Sequence, residues 1–172
     1  ALPGDIEARA SLGLLFAQGY FLNGGLVSFA KGKTNRYRPY TYLDLEGIAS
    51  LTREAKEEFL EDIVDDDIED SFYSGDAAAT AYGLMFFAKV FNDYYPDAKE
   101  RYIVWGAAGV GTALGAYYRA QSGKHFPTDV IVGSVIGGSI GILIPHLHKQ
   151  KEDSKISVSS TGNGLSLVCK LN

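Results

Sequence analysis

Pro127-Thr-Asp-Val-Ile-Val-Gly133-Ser-Val-Ile-Gly137-Gly-Ser-Ile-Gly141-Ile-Leu-Ile-Pro145 is the stretch on which the fold class turns. Proline fits a helix in the first turn, where its missing N–H costs no intrahelical bond. The run therefore predicts a helix that opens near Pro127 and ends before Pro145. Gly133, Gly137 and Gly141 recur every four residues and share one face, over which a neighbouring helix can approach to backbone contact. The expectation is an all-α, close-packed bundle.

The rest of the chain agrees. Residues 6–30 place Leu12, Leu15, Phe16, Gly19, Phe21 and Leu22 near helical spacing and predict a helix that delivers Lys31. Residues 40–70 read as a connector with an amphipathic helix from about Thr52 to Ile63. Further helices are predicted from about Ala77 to Asn92, stopped by Tyr94-Tyr-Pro96-Asp, and from Tyr102 to Tyr118. After His148 the pattern changes. Ile156 and Val158, then Leu165, Leu167, Cys169 and Leu171, alternate around Thr161-Gly-Asn-Gly164, as in a β-hairpin. The division expected is a helical domain over 1–150 and a small C-terminal β-hairpin over 151–172.

The 172 residues are 46% apolar with 20 Gly and five Pro, which excludes disorder or a collagen-like repeat. Ten carboxylates lie between Glu54 and Asp70, so most of the net charge of −5 belongs to one segment. No contiguous basic face remains to release counterions from a nucleic acid, and none is expected as a partner. The run Asp65-Asp-Asp-Ile-Glu-Asp70 lacks the Gly turn and spaced oxygens of an EF-hand and reads as a solvated face. Cys169 is the single cysteine, so no internal disulfide forms. The opening Ala-Leu-Pro-Gly, without a basic leader or signal-type run, reads as a mature or trimmed product. The glycine spacing suits membrane helices and tight soluble packing alike, and the apolar runs fall short of the ~20 residues that span a bilayer. Tyr102 and Trp105 at one end and Tyr117 and Tyr118 at the other read either as an interfacial belt or as core aromatics.

Three short stretches carry the chemistry: Lys31-Gly-Lys-Thr-Asn-Arg36-Tyr-Arg38-Pro39, Ser74-Gly75-Asp76, and Arg119-Ala-Gln-Ser-Gly-Lys-His125-Phe-Pro-Thr-Asp129. A phosphoryl group in transfer spreads charge over its equatorial oxygens, so catalysis depends on positioned cations and N–H donors. Arg38 and Arg119 offer planar forks to two oxygens each, and Lys31 a point charge. Ser74 and Gly75 precede a helix, where a hydroxyl and unpaired N–H groups seat an anion. His125 is the nucleophile candidate; the plainer alternative is a packed or solvent-facing histidine. Asp129 falls in the first turn after Pro127. Its carboxylate can reach back to accept a hydrogen bond from His125, leaving the other ring nitrogen free, or can cap the helix; the two roles are compatible. His146 and His148, two apart and past the predicted helix end, lack the further ligands a metal requires and read as surface residues.

The ordered set resembles the type 2 phosphatidic acid phosphatase family, whose pattern is Lys-x6-Arg-Pro, then Pro-Ser-Gly-His, then Ser-Arg-x5-His-x3-Asp. The likeness spans Lys31 to Asp129. It implies a helical bundle of the phosphatidic acid phosphatase/haloperoxidase type. It also implies hydrolysis of lipid phosphates, isoprenyl pyrophosphates or small phosphomonoesters through a phosphohistidine, with neither metal nor other cofactor. By resemblance the catalytic residues are His125, Asp129 and Asp76, and the phosphate-binding ones Lys31, Arg38, Ser74, Gly75 and Arg119. Lys33 and Arg36 fall on variable positions and read as solvated charge. The partner implied is a phosphate-containing small molecule or lipid, the location membrane-associated or periplasmic/envelope, and further helices commonly precede the first motif.

Two departures bear on activity. Tyr118 replaces the Ser before Arg119, and Asp76 stands where the family has a His that protonates the leaving oxygen. An Asp donates only when protonated: a helix start and nearby cations favour the carboxylate, a bound phosphate dianion the acid. Asp is equally a strong N-cap residue, and Asp76 directly precedes Ala77. Two rival functions follow. Vanadate-dependent haloperoxidases share the anion cradle, and a phosphate- or phospholipid-binding protein would keep the cradle without turnover.

Overall fold

The computed structural model describes residues 6–42, 45–64, 67–149, 156–161 and 164–169. In chain order the elements are α1 (Ile6–Thr34), α2 (Leu45–Ser50), α3 (Arg53–Val64), α4 (Gly75–Tyr94), α5 (Glu100–Gln121), α6 (Pro127–His148), β1 (Ile156–Thr161) and β2 (Gly164–Cys169). Single 3-10 turns occupy Pro39–Tyr42 and Asp67–Glu69. The long helices α1, α4, α5 and α6 form the bundle, with α4 packed against the other three. The expected all-α class holds. β1 and β2 pair antiparallel, Ile156 opposite Cys169 and Thr161 opposite Gly164; Gly162, Asn163 and Leu171 of the predicted hairpin lie outside the described residues.

The α4–α6 contact depends on the glycine face read from the sequence. A Cβ on Gly137 would lie 2.0 Å from Ala78 O, one on Gly133 2.5 Å from Ser74 O, and one on Gly141 2.5 Å from Tyr82 O. No side chain fits there, so the two backbones meet directly. Helix α4 answers with the small, buried Ala77, Ala78 and Ala81. Farther along, Tyr82 and Phe86 pack on Ile140 and Ile144, and the Tyr82 hydroxyl donates to Phe16 O at 2.6 Å, tying α1 to this layer. At the other end Val27, Tyr73 and Ala78 form a second cluster, which carries the site.

Helix α6 does not end before Pro145 but continues through it to His148. Pro145 stands three residues from the end and is buried beside Ile144, so one lost hydrogen bond is offset by packing. His146 and His148 consequently sit in the last helical turn rather than beyond it, with His148 Nδ1 2.9 Å from Ile144 O. The extension also makes α6 22 residues long, past the ~20 needed to span a bilayer. Helices α1 and α6 are both long and apolar enough to cross a membrane. They differ in burial: 44% of the apolar window of α6 is buried in the bundle but only 11% of that of α1. Leu14, Phe21 and Phe29 of α1 are exposed. So are Tyr102, Tyr117 and Tyr118 of α5, which removes the core-aromatic reading of those tyrosines.

Candidate active site

The three chemistry-bearing stretches meet where α1 ends and α4 and α6 begin, and backbone hydrogen bonds bring them there. Arg38 N–H donates to Ile68 O at 2.9 Å and Ser71 N–H to Arg36 O at 3.0 Å, laying the first stretch alongside the approach to the second. Ser74 N–H then donates to Asp129 O at 3.2 Å, which joins the second to the third. Glycine at position 133 permits that approach, since its face lies against the Ser74 carbonyl.

His125 is buried, 4% exposed. Its Nδ1 lies 2.7 Å from Ser71 O. A carbonyl only accepts, so Nδ1 carries the proton and the neutral ring presents a bare Nε2. Burial pushes the imidazole down to about 4; the Ser71 carbonyl and the Asp129 carboxylate pull it up, while Arg38 and Arg119 add to the lowering. Both arginines thus act on His125. Arg38 is 5% exposed, and its neighbourhood requires a polar partner to offset that burial.

Asp129 differs from its expected pairing. It is fully buried, and its oxygens accept from Arg36 (2.5 Å), Ser71 Oγ (2.5 Å) and Phe126 N–H (3.0 Å). The last is the predicted capping contact. The hydrogen bond from His125 goes instead to the Ser71 carbonyl, because Ser71 stands between imidazole and carboxylate. Arg36 likewise departs from its reading as solvated charge: its guanidinium reaches Asp129 and lies 4.3 Å over the Phe126 ring.

The cap of α4 is Ser74, whose Oγ accepts from Ala77 N–H at 3.3 Å. Asp76 is therefore not the N-cap; it sits inside the first turn, 64% exposed, and pairs with Arg119 at 2.6 Å. Gly75 and Asp76 are the first two residues of α4, where helix N–H groups have no intrahelical acceptor. Lys31 pairs with Asp70 at 3.6 Å, so one carboxylate of the acidic run belongs to the site and not to a purely solvated face. Among the described residues no three His, Cys, Asp or Glu side chains converge as a metal site. A cavity of about 280 Å³ lies elsewhere: Leu12, Val90, Tyr94 and Pro145 line it at the opposite end of the bundle.

The profile of the PAP2 superfamily matches residues 12–153. The chain belongs to the PAP2 superfamily. No curated protein and no solved structure matches it. PAP2 proteins are in general phosphatases acting on phosphate esters, and a helical bundle with cations gathered at one end is consistent with that chemistry. The matched range contains all three motif stretches, whereas Ser71, Arg36 and Asp70 enter the site through the fold. No sequence signal marked those three: Ser71 is a lone small residue after an acidic run, Arg36 lies on a variable position, and Asp70 is one of ten neighbouring carboxylates.

Proposed function

We propose that this PAP2 protein hydrolyses phosphate monoesters or pyrophosphates through a phosphohistidine on His125, with protein cations doing the work a metal would otherwise do. The observation that carries the reading is the buried imidazole whose Nδ1–H is taken by Ser71 O, leaving Nε2 as the basic nitrogen beside Arg38 and Arg119. Nε2 attacks phosphorus as the bond to the leaving oxygen breaks, and water then attacks the phosphohistidine. Arg38, Arg119 and Lys31 balance the charge on the equatorial oxygens, together with N–H groups at the start of α4 near Ser74 and Gly75. Asp129 holds the nucleophile side in place. Substrate phosphate competes with Asp76 for Arg119, and the released Asp76, once protonated, donates to the leaving oxygen.

The substrate class we favour is an amphiphile: a lipid phosphate or isoprenyl pyrophosphate before a small soluble monoester. The exposed apolar face of α1 supports this, because a helix so little covered by its own bundle fits contact with lipid. The same face supports a membrane-associated site in the cell envelope.

The test is a phosphatase screen of the three substrate types from about pH 4 to about pH 9, with His125→Ala as control and acid-labile phosphate trapped on the protein. Hydrolysis that disappears in the variant is expected. Phosphate binding without turnover on any substrate would instead favour the binding-protein reading, to which the Asp76–Arg119 pair lends support.

A further inference from the structure

We infer that Arg36 and Ser71 are positioning residues, Arg36 holding Asp129 and Asp129 holding Ser71, whose carbonyl orients His125 in place of a direct carboxylate–imidazole contact; the consequence for turnover rests on the phosphatase reading above. Arg36 donates to Asp129 Oδ1 at 2.5 Å and to Thr128 Oγ1 at 3.1 Å, and its guanidinium lies 4.3 Å over the ring of Phe126. Asp129 Oδ2 accepts from Ser71 Oγ at 2.5 Å and from Phe126 N–H at 3.0 Å. The Ser71 carbonyl accepts from His125 Nδ1–H at 2.7 Å.

Ser71 and Asp129 are both fully buried, so neither has water as an alternative partner. A buried carboxylate is tolerated only when charge and hydrogen bonds compensate it, and Arg36 supplies the charge. The Ser71 side chain is pinned by Asp129 and its N–H by Arg36 O. That leaves its carbonyl one direction, and the carbonyl direction sets the imidazole tautomer. When Nε2 bonds to phosphorus, the electron pair of the breaking bond leaves with the oxygen and the ring becomes cationic. The groups that act on that charge are the Ser71 carbonyl and Asp129, which favour it, and Arg38 and Arg119, which oppose it. Arg36 tempers Asp129, so this chain governs both the orientation of the nucleophile and its protonation.

The experiment is histidine-selective NMR on the whole chain, with His125→Ala identifying the His125 signal among the three histidines. Wild type should show the Nδ1–H tautomer and titrate below about pH 5. Arg36→Met keeps an unbranched stem on Phe126 but leaves Asp129 uncompensated. The His125 midpoint should rise by roughly one unit, and the acidic limb of kcat/KM should move up with it. Ser71→Ala keeps the carbonyl but frees it to turn. A mixture of tautomers should follow, with kcat down about tenfold and KM within about twofold. A purely structural role would lower Tm in these variants while leaving tautomer, midpoint and pH profile in place, and that result overturns the inference. Should Ser71→Ala not fold, Arg36→Met at a side chain 36% exposed carries the test alone. If wild type cleaves no phosphate ester yet the NMR shifts occur, the phosphatase reading fails and the positioning chain stands. Turnover by wild type with unchanged profiles in both variants sinks the chain and spares the phosphatase.

Discussion

His125 and Asp76 stand at the starts of α6 and α4, and their surroundings are opposite. His125 is 4% exposed and reached through a chain of hydrogen bonds that ends on Arg36. Asp76 is 64% exposed and pairs with Arg119. The contrast fits the two roles proposed for them above. A nucleophile benefits from desolvation and a fixed tautomer, whereas a proton donor must exchange protons with solvent and must be able to let go of a cation that the substrate needs.

Removing the buried partner should have the largest effect: His125→Ala is expected to lower kcat by about 10³-fold or more while circular dichroism stays helical. A variant that keeps most of the wild-type rate would transfer the nucleophile role elsewhere.

The burial of His125 also predicts a pH-dependent stability. The unfolded imidazole takes up its proton near 6.5 and the folded one near 4, so between those values the unfolded state binds more protons. Stability is therefore fully present above about pH 6.5 and falls as the pH drops towards 4, by roughly 2–4 kcal/mol. Urea unfolding at several pH values checks this, and His125→Ala should flatten the slope across that window. An unchanged slope would mean that another group titrates.

Exchanging arginine for lysine sharpens the comparison by keeping charge and removing the fork. Arg38→Lys and Arg119→Lys should each lower kcat/KM by about 10–100-fold, with Arg38 the more sensitive because it is the more buried. Equal or reversed losses would show that burial does not set the ranking.

The exposed side should respond least. Asp76→Asn removes the proposed proton donor but not the cap, which belongs to Ser74, so stability should change by at most about 0.5 kcal/mol. Its rate on alkyl phosphates should fall, with little change on activated aryl esters, whose leaving groups need no proton. Asp76→His should shift the optimum from acid towards neutral. An Asn variant with wild-type rates on alkyl phosphates at every pH would remove the acid role.

The four long helices, the glycine face of α6 and the three motif stretches were legible in the sequence, whereas the short α2 and the continuation of α6 through Pro145 were not. Helical periodicity, a proline at a first turn and glycines four apart are relations within a few residues, and short-range geometry suffices to read them. The same holds for the cap of α6: Asp129 lies three residues from the Phe126 N–H it accepts. Contacts between distant positions were not legible. Ser71 meets Asp129 across 58 positions, His125 meets Ser71 across 54, and Arg36 meets Asp129 across 93. Each depends on the backbone pairing of 36–38 with 68–71 and on α6 sitting flush against α4, neither of which any local pattern encodes. So His125 was identifiable from its motif, while the group that holds its Nδ1 was not. Likewise a cap at the start of α4 was expected, but the choice of Ser74 over Asp76 followed from where the helix begins and from Arg119, which draws Asp76 away.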